Sequence, residues 1–234
     1  MSEVLGKMEK PEAAQFKDGR KLFFVPLVVT PPSESSNITD LAAKYWQEAA
    51  DQLDNLQSKL SGVKRIYHEL LPGEESLKQL KAMQIGSHSI VEKLVAEGAV
   101  ISAIEDEDLM REFLDWNLCL SLRLQSQKVF SKIYDSFKEV ACQRNEHMAK
   151  HIDDTLGSDE SAVLFMREGH RVQFPSDVQV FYVAPPTLDV LQRSLREQHE
   201  KQLQHEHDES CDCEHETCDE TTCPDEGAAD TLSE

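Results

Sequence analysis

Short apolar runs alternate with longer amphipathic segments along this chain, and this alternation constrains the fold more than any other feature. Strands are predicted at residues 21–30, 63–71, 99–104, 161–166 and 178–183, and the first of them is a continuous apolar run typical of a strand covered on both faces. Between them, apolar residues recur every three or four positions, which predicts helices. Strands that alternate with helices need crossover connections, so the strands lie parallel. We therefore expect an α/β fold: a mainly parallel sheet of about five strands, with helices on both faces and extra long helices.

Three segments refine this outline. Pro26 lies within the first run, KLFFVPLVVT, and predicts an edge strand or a bulge because proline has no N–H for a β-ladder. A helix is expected at 74–97, with Gly86 as its weak point. Residues 108–156 contain no Gly or Pro, and a single helix of that length would measure about 70 Å. We expect this segment to break into two or three helices, near Gln125–Lys128, and a last helix to follow at Leu188–Leu203.

Acidic residues concentrate at the C-terminal end. Residues 202–234 hold twelve Asp and Glu and no Lys or Arg, so they carry −12 of the formal −20 and leave −8 for the first 201 residues. We expect a mobile lead-in at 1–19, the α/β domain at 20–203 and a disordered acidic tail at 204–234. Because both parts are acidic, we expect no nucleic acid among the partners.

No run approaches the roughly 18 to 20 apolar residues of a membrane span, and the first residues, MSEVLGKMEK, are polar where a signal peptide is apolar. We expect a cytoplasmic protein without a membrane partner. Thiols stay reduced in the cytoplasm, so the six cysteines are candidates for burial or for metal binding before disulfides. The long helices offer a surface for a protein partner.

Ligands of parallel sheets collect at the carboxyl ends of the strands. This rule selects four segments: Thr30–Ser33, His68–Glu69, Glu105–Asp108 and Arg167–His170. His68 and Glu69 are neighbours in a strand, so their side chains point to opposite faces of the sheet. Glu69 is either a site residue or a strand-end residue that reaches water. The acidic cluster 105–108 suits a hard cation, but the first turn of a helix is the preferred interpretation.

Candidate proton carriers follow and precede the fourth strand. Gly169 allows a sharp turn, and His170 beside it is either a ligand or proton shuttle or a solvated loop residue. On the preceding helix, Arg144, His147 and His151 share a face, for which a solvated surface is the preferred interpretation because no HExxH motif is present.

Two cysteines bear on nucleophilic catalysis. Cys119 and Cys142 lie in helical segments of apolar periodicity and are predicted to be core residues. Buried thiols are poor nucleophiles, so we do not expect cysteine chemistry.

The tail carries the most distinct chemical signal. Thiolate and imidazole side chains together suit Zn²⁺ or Ni²⁺. Seven of them fall within nineteen residues: His205, His207, Cys211, Cys213, His215, Cys218 and Cys223. The spacing lacks the paired CxxC of a structural zinc site, so we interpret the tail as a flexible metal-binding appendage. The alternative is an acidic segment whose cysteines and histidines share no role.

The segment RNEHMAKHIDDTLGSDESAVLFMREGH, from Arg144 to His170, resembles the closing motif of the TraB/Tiki superfamily, which is related to the heme-uptake ChaN and erythromycin-esterase proteins. In those families an Arg and a Met-Ala-like pair open a helix, and a strand then ends in Gly-x-x-His. The segment IYHEL is similar to their strand with an essential Glu, here Glu69. The resemblance covers residues 20–185 and implies that Glu69, Arg144 and His170 are catalytic in the hydrolysis of amide or ester bonds.

Two positions depart from the family pattern. Arg167 stands where the Gly-x-x-His motif begins with glycine, and the first strand, FFVPLVV, lacks the histidine of the metal-dependent members. These departures favour a metal-associated accessory or binding protein whose α/β domain is non-catalytic and whose tail binds the metal. The alternative is a metal-dependent hydrolase that uses Glu69 and His170 at the strand ends.

Overall fold

The computed structural model describes residues 16–30, 36–69, 71, 76–83 and 85–211, without the side chains of residues 36, 76 and 202–211. These residues form five strands: β1 Lys21–Pro26, β2 Val63–His68, β3 Val100–Ser102, β4 Ser161–Met166 and β5 Gln179–Tyr182. They also form six helices: α1 Ser36–Lys59, α2 Ser76–Ala82, α3 His88–Ala96, α4 Glu107–Ser121, α5 Gln127–Thr155 and α6 Thr187–Cys211. No helix among the described residues is both long and apolar enough to cross a membrane.

The five strands form one all-parallel sheet in the order β3-β2-β4-β1-β5, which confirms the predicted α/β fold. The prediction from Pro26 was wrong, because β1 lies inside the sheet between β4 and β5. Pro26 is the last residue of β1, opposite Met166, and the next N–H, of Leu27, donates to the Met166 carbonyl at 2.9 Å. A proline at the end of a strand therefore disturbs few hydrogen bonds of the β-ladder.

Helices cover both faces of the sheet, as predicted. On one face, side chains of β1, β2 and β4 form a core with Met148 and Ile152 of α5. On the other face, Trp46 of α1 packs against Phe165 of β4, with ring centroids 6.4 Å apart. Alternate side chains of β4 thus pack against helices on opposite faces of the sheet, which explains why all six residues are buried.

The predicted helix at 74–97 is two helices, α2 and α3, separated by residues 83–87. The break surrounds Gly86, where a Cβ atom would lie 2.1 Å from the Trp46 ring. Trp46 is only 7% exposed, so its indole fills the space that a side chain at this position needs. A side chain at position 86 would therefore clash with the Trp46 indole.

The predicted break in the long helical segment is confirmed, between Ser121 and Gln127. Leu122 is extended, and the Ser126 side chain caps α5 by accepting a hydrogen bond from the N–H of Val129. The sheet and α1–α5 belong to a compact unit that ends at Gln192. The residues of α6 from Arg193 onward belong to a second unit.

Candidate functional site

Glu69 directly follows β2, at the carboxyl end of the sheet, and is 4% exposed. Arg167, which follows β4, donates to its carboxylate from the backbone N at 2.7 Å, from Nε at 3.0 Å and from Nη2 at 2.7 Å. Arg144 of α5 donates a fourth bond, from Nη2 at 3.2 Å. The two residues come together because β2 and β4 are neighbours, so their carboxyl ends meet. Both carboxylate oxygens of Glu69 are therefore occupied.

Arg144 is buried, at 8% exposure, so the predicted solvated face on α5 was wrong for this residue. Its guanidinium binds Glu105 through two hydrogen bonds, from Nε to Oε2 at 2.8 Å and from Nη2 to Oε1. Its planar group also lies over the Phe113 ring, 4.9 Å from the centroid. The sequence indicated this burial, since Arg144 falls in the row Val140, Arg144, Met148 and Ile152 on the buried side of α5.

These contacts perturb the acids in opposite directions. Burial opposes the ionisation of Glu69, but the hydrogen bonds and charge of Arg167, together with Arg144, outweigh it and hold the pKa below its ordinary value. For Glu105, burial is the stronger influence and raises the pKa despite the contact with Arg144. Glu69 is therefore a fixed anion at neutral pH and does not carry a mobile proton.

Gly169 has φ +84°, in the left-handed region, and turns the chain sharply after β4 as the sequence predicted. His170 follows it and is partly buried against the rings of Phe24 and Phe174, with centroids 5.0 and 5.7 Å away. Burial lowers the pKa of His170, so the ring is neutral at pH 7. The N–H of Val172 donates to Nδ1 at 3.3 Å, which assigns the ring proton to Nε2 and makes that edge a donor.

A cavity of about 620 Å³ opens at this edge of the sheet. Glu69, Arg144 and His170 all line it, so the structure brings together the three residues that were predicted to be catalytic. Its wall also contains basic and aromatic side chains from α4, α5 and the loop after β4: Phe113, Tyr134, Phe137, Lys138, Arg167 and Arg171. The volume lies within the range of small-molecule sites.

His68 lies on the other face of the sheet from this cluster, as the strand alternation predicted. It is 0% exposed, and its Nε2 is 2.9 Å from the Ser87 hydroxyl. Burial lowers its pKa to about 4, which makes it a neutral core histidine at pH 7. It does not line the cavity.

The acidic cluster 105–108 divides between two roles. Asp106 caps α4, and its side chain accepts hydrogen bonds from the N–H groups of Asp108 and Leu109. This is the helix-start interpretation that the sequence favoured. Glu105 precedes the helix and turns inward to Arg144, a role that the sequence did not single out.

The prediction that the two helical cysteines are core residues was wrong. Cys142 is exposed and Cys119 is partly exposed. The Cys142 thiol donates to Glu146 Oε1 at 3.3 Å, and this hydrogen bond raises the pKa of the thiol. A thiol held protonated by a carboxylate is a weak nucleophile, so exposure alone does not make Cys142 reactive.

Among the described residues, no three His, Cys, Asp or Glu side chains converge in a way that could hold a metal ion. His147 and His151 stack with centroids 6.3 Å apart, and His151 Nε2 lies 3.0 Å from the Ser102 hydroxyl. The carboxylate of Glu69 does not suit a metal ion either, because its oxygens already accept hydrogen bonds from two arginines. The seven predicted tail ligands fall outside the residues whose side chains are described, and so do residues 31–33 after β1.

Arg167 and Glu105 are the two members of the cluster that sequence reasoning missed. Both lay in strand-end segments that the ligand rule selected, and both carry a charge beside a buried strand. Arg167 was noted only as a departure from a family motif. The structure gives it a role, because it is the main partner of Glu69.

The fold and the cluster together define an α/β domain with a strand-end cavity in which two arginines fix a buried glutamate. The chain matches no protein-family model, no curated protein and no solved structure. The resemblance to the TraB/Tiki superfamily therefore rests on its motif residues and stays a prediction.

Proposed function

We propose that this chain is a metal-associated binding protein whose α/β domain is non-catalytic and holds a small anionic molecule in the strand-end cavity. The observation that carries this proposal is the occupation of Glu69 by Arg167 and Arg144. A general base or a metal ligand needs a lone pair that faces the reacting group. Here both oxygens of Glu69 accept hydrogen bonds from guanidinium or backbone donors, so we assign the carboxylate to positioning arginines.

We assign the binding of the anionic ligand to Arg167. Its side chain is 52% exposed, although Nε and Nη2 are anchored on Glu69. A guanidinium held in one orientation loses little entropy when it binds a carboxylate or a phosphate, which are the groups that arginine recognises best. The Nε2–H of His170 supplies a neutral donor in the same cavity.

The other lining residues support an anion with an apolar portion. Lys138 and Arg171 add positive charge to a cavity in a chain of net charge −20. Two further carboxylates line the cavity. That of Glu168 accepts hydrogen bonds from Tyr182 and Gln192, and that of Glu146 accepts one from the Cys142 thiol. Phe113 and Phe137, whose rings lie 5.2 Å apart, offer an aromatic wall.

In this proposal, the C-terminal tail binds the metal. Its four cysteines and three histidines are the ligand types that Zn²⁺ and Ni²⁺ prefer. The lack of a converging metal-ligand set among the described residues supports this assignment. The motif departures at Arg167 and in the first strand also support a non-catalytic relative of the TraB/Tiki type, which we expect in the cytoplasm.

A fluorescent aromatic sulfonate, 8-anilinonaphthalene-1-sulfonate, tests the cavity. We expect the full chain to bind it and Arg167→Gln to weaken binding at least about tenfold, the effect of about 1.4 kcal/mol. Arg196→Gln, which removes an exposed arginine from α6, is the matched control and leaves binding unchanged. Equal binding by parent and Arg167→Gln would exclude the cavity as the anion site.

A hydrolase of amide or ester bonds is the second candidate, because Glu69, Arg144 and His170 line one cavity. Hydrolysis of p-nitrophenyl acetate separates the two functions. We expect parent, His170→Ala and Glu69→Gln to give the same slow rate, with or without added Zn²⁺. A rate that falls to the buffer background in both variants would instead establish the hydrolase.

A further inference from the structure

The strand-end cavity is long in one direction. Its lining residues on α5 include five that recur every three or four positions: Tyr134, Phe137, Ala141, Asn145 and Ala149. Residues at this spacing lie along one side of a helix. The fifteen positions from the first to the last span about 22 Å at 1.5 Å per residue. The cavity therefore extends along α5 as a groove.

One end of the groove carries hydrogen-bond donors. Asn145 follows Arg144, which contacts Glu69 at 3.2 Å, so this part of α5 lies beside the strand ends. Arg167 and His170, in the segment after β4, line the cavity at the same strand ends. The side-chain amide of Asn145 has no hydrogen-bond partner among the described residues. Three side chains at this end thus retain donors for a ligand.

The other end of the groove is aromatic. Phe137 lies eight residues before Asn145 on α5, about 12 Å away along the helix axis. Its ring packs against Phe113 of α4, with centroids 5.2 Å apart, and Tyr134 adds a third ring about one turn further along. Ala141 lies between the two ends, where its small side chain occupies little of the groove. The lining suits a molecule with a polar head and an extended apolar chain.

Little positive charge in the groove is without a partner. Three of its four cations already form ion pairs with carboxylates: Lys138, Arg144 and Arg167. Arg171 has no ion pair in the part of the chain that the structure describes, and the carboxylates of Glu146 and Glu168 lie in the same lining. A second negative charge on the ligand would therefore be opposed. A ligand with one carboxylate gains most of its affinity here from apolar contact.

Building on the proposed anion-binding function, we propose that the ligand is a long-chain monocarboxylate of the fatty-acid type, with its carboxylate on Arg167 and His170 and its chain along α5 toward Phe137. Nη1 of Arg167 makes no hydrogen bond within the described ranges, so the guanidinium keeps donors for a planar carboxylate. With bonds of about 1.5 Å, an extended chain of twelve carbons is about 14 Å long. This length matches the distance from the strand ends to the aromatic end.

Displacement of 8-anilinonaphthalene-1-sulfonate from the full chain tests the length of the ligand. Octanoate and dodecanoate have the same head group, and each fully buried CH₂ strengthens binding by a factor of about three to four. Because Phe137 and Ala141 are partly exposed, we expect a smaller gain per carbon, and dodecanoate displaces the probe at a concentration at least about tenfold lower than octanoate.

Dodecyl phosphate tests the head group, because it carries a second negative charge at pH 8. We expect it to displace the probe only at a concentration at least about tenfold higher than dodecanoate. Equal displacement by the two compounds would contradict a site for a single carboxylate.

Variants of α5 test the position of the chain. Phe137→Ala weakens dodecanoate at least about tenfold and leaves octanoate unchanged, since a chain of eight carbons is about 9 Å long and ends before Phe137. Phe130→Ala is the matched control, because Phe130 is exposed on the same helix and does not line the cavity. Ala141→Leu fills the middle of the groove and also weakens dodecanoate, whereas Ala43→Leu, at an exposed position of α1, does not.

The possible results distinguish the ligand class from the binding function. If Arg167→Gln binds the probe as tightly as the parent, the cavity is not the anion site and both proposals fail. If probe binding depends on Arg167 but octanoate and dodecanoate compete equally, the anion site stands and a long-chain ligand is excluded. A preference for dodecanoate that Phe137→Ala and Ala141→Leu leave unchanged places the chain outside the groove and also overturns the proposal.

Discussion

Glu69 and Arg167 are 98 residues apart in sequence, yet Arg167 donates three hydrogen bonds to the Glu69 carboxylate, one of them from its backbone. Each residue directly follows a strand, β2 or β4, and these strands are neighbours in the sheet. The pair therefore ties two strand ends together and orients the exposed part of the arginine toward the cavity. Loss of either charge affects both the stability of the domain and the shape of the site.

Glu69→Gln tests how much the contact between Glu69 and the two arginines contributes to the stability of the domain. The change weakens the hydrogen bonds to Arg167, whose side chain is half exposed, and to Arg144, which keeps its contact with Glu105, and we expect it to lower the free energy of unfolding by about 1–3 kcal/mol. Asp154→Asn is the control, because Asp154 pairs with Lys150 at the surface, where such pairs contribute about 1 kcal/mol or less. Urea denaturation followed by circular dichroism measures both. Similar shifts in the two variants would contradict a buried role for Glu69.

Arg144 and Glu105 are suited to a double-mutant cycle. Arg144→Met leaves the buried carboxylate of Glu105 uncompensated and is expected to cost about 3–5 kcal/mol, and Glu105→Leu leaves Arg144 with its longer contact to Glu69, at 3.2 Å. The double variant removes both charges at similar volume, so it should recover most of the loss. If the two losses add in the double variant, the pair is not coupled.

The low pKa of the buried His68 predicts that the stability of the fold depends on pH. The unfolded chain binds the imidazole proton near pH 6.5, but the folded chain binds it only near pH 4 because of burial. The unfolded state therefore takes up the proton first, and the free energy of unfolding falls as the pH is lowered through this window, by about 3 kcal/mol at its acidic end. We expect His68→Gln to lose that part of the fall. His199→Gln, at an exposed position of α6, should retain it.

Gly86→Ala tests the close approach of Gly86 to Trp46. The new Cβ would lie 2.1 Å from the Trp46 ring, and overpacking of this kind costs about 1–3 kcal/mol. Gly62→Ala is the matched control, since its Cβ meets no atom within 4 Å, and a change within about 0.5 kcal/mol is expected. Thermal unfolding compares them. An equal effect at both positions would mean that Trp46 does not exclude a side chain at position 86.

The tail gives a prediction about metal content. We expect elemental mass spectrometry to find Zn²⁺ or Ni²⁺ in the full chain and little in a version truncated after Gln202. A full-length variant with serine in place of Cys211, Cys213, Cys218 and Cys223 should lose it as well. Metal that survives both changes would place a site within the α/β domain instead.

The order of helices and strands could be predicted because short segments rich in Val, Ile and Phe between turn residues alternate with segments of helical periodicity. β4 has the predicted bounds of Ser161–Met166 for this reason. The position of β1 inside the sheet could not be predicted, since it depends on partners at Ser161 and Gln179 that lie far along the chain. Gly86 was predicted as the weak point of a helix, but its close approach to Trp46, which leaves no room for a side chain, could not be predicted from a local pattern.

The candidate site was predicted in part. The strand-end rule and the motif pattern pointed to Glu69, Arg144 and His170, and the structure places all three in one cavity. Their roles could not be derived, because what a carboxylate does depends on its hydrogen-bond partners. Arg144 and Glu105 are 39 residues apart, and their contact depends on how α5 packs in the fold, which no local pattern specifies.

The position of β1 also bears on how the chain is made. Gly19 and Asp159, at the start of β1 and β4, hydrogen-bond across 140 positions, and both neighbours of β1 are the last two strands. During synthesis, the apolar segment LFFVP therefore cannot pair with its neighbouring strands until nearly the whole domain has left the ribosome. A nascent chain of this protein therefore exposes the apolar segment of β1 for longer than its other strands, and we expect its yield to depend on chaperones that hold this segment.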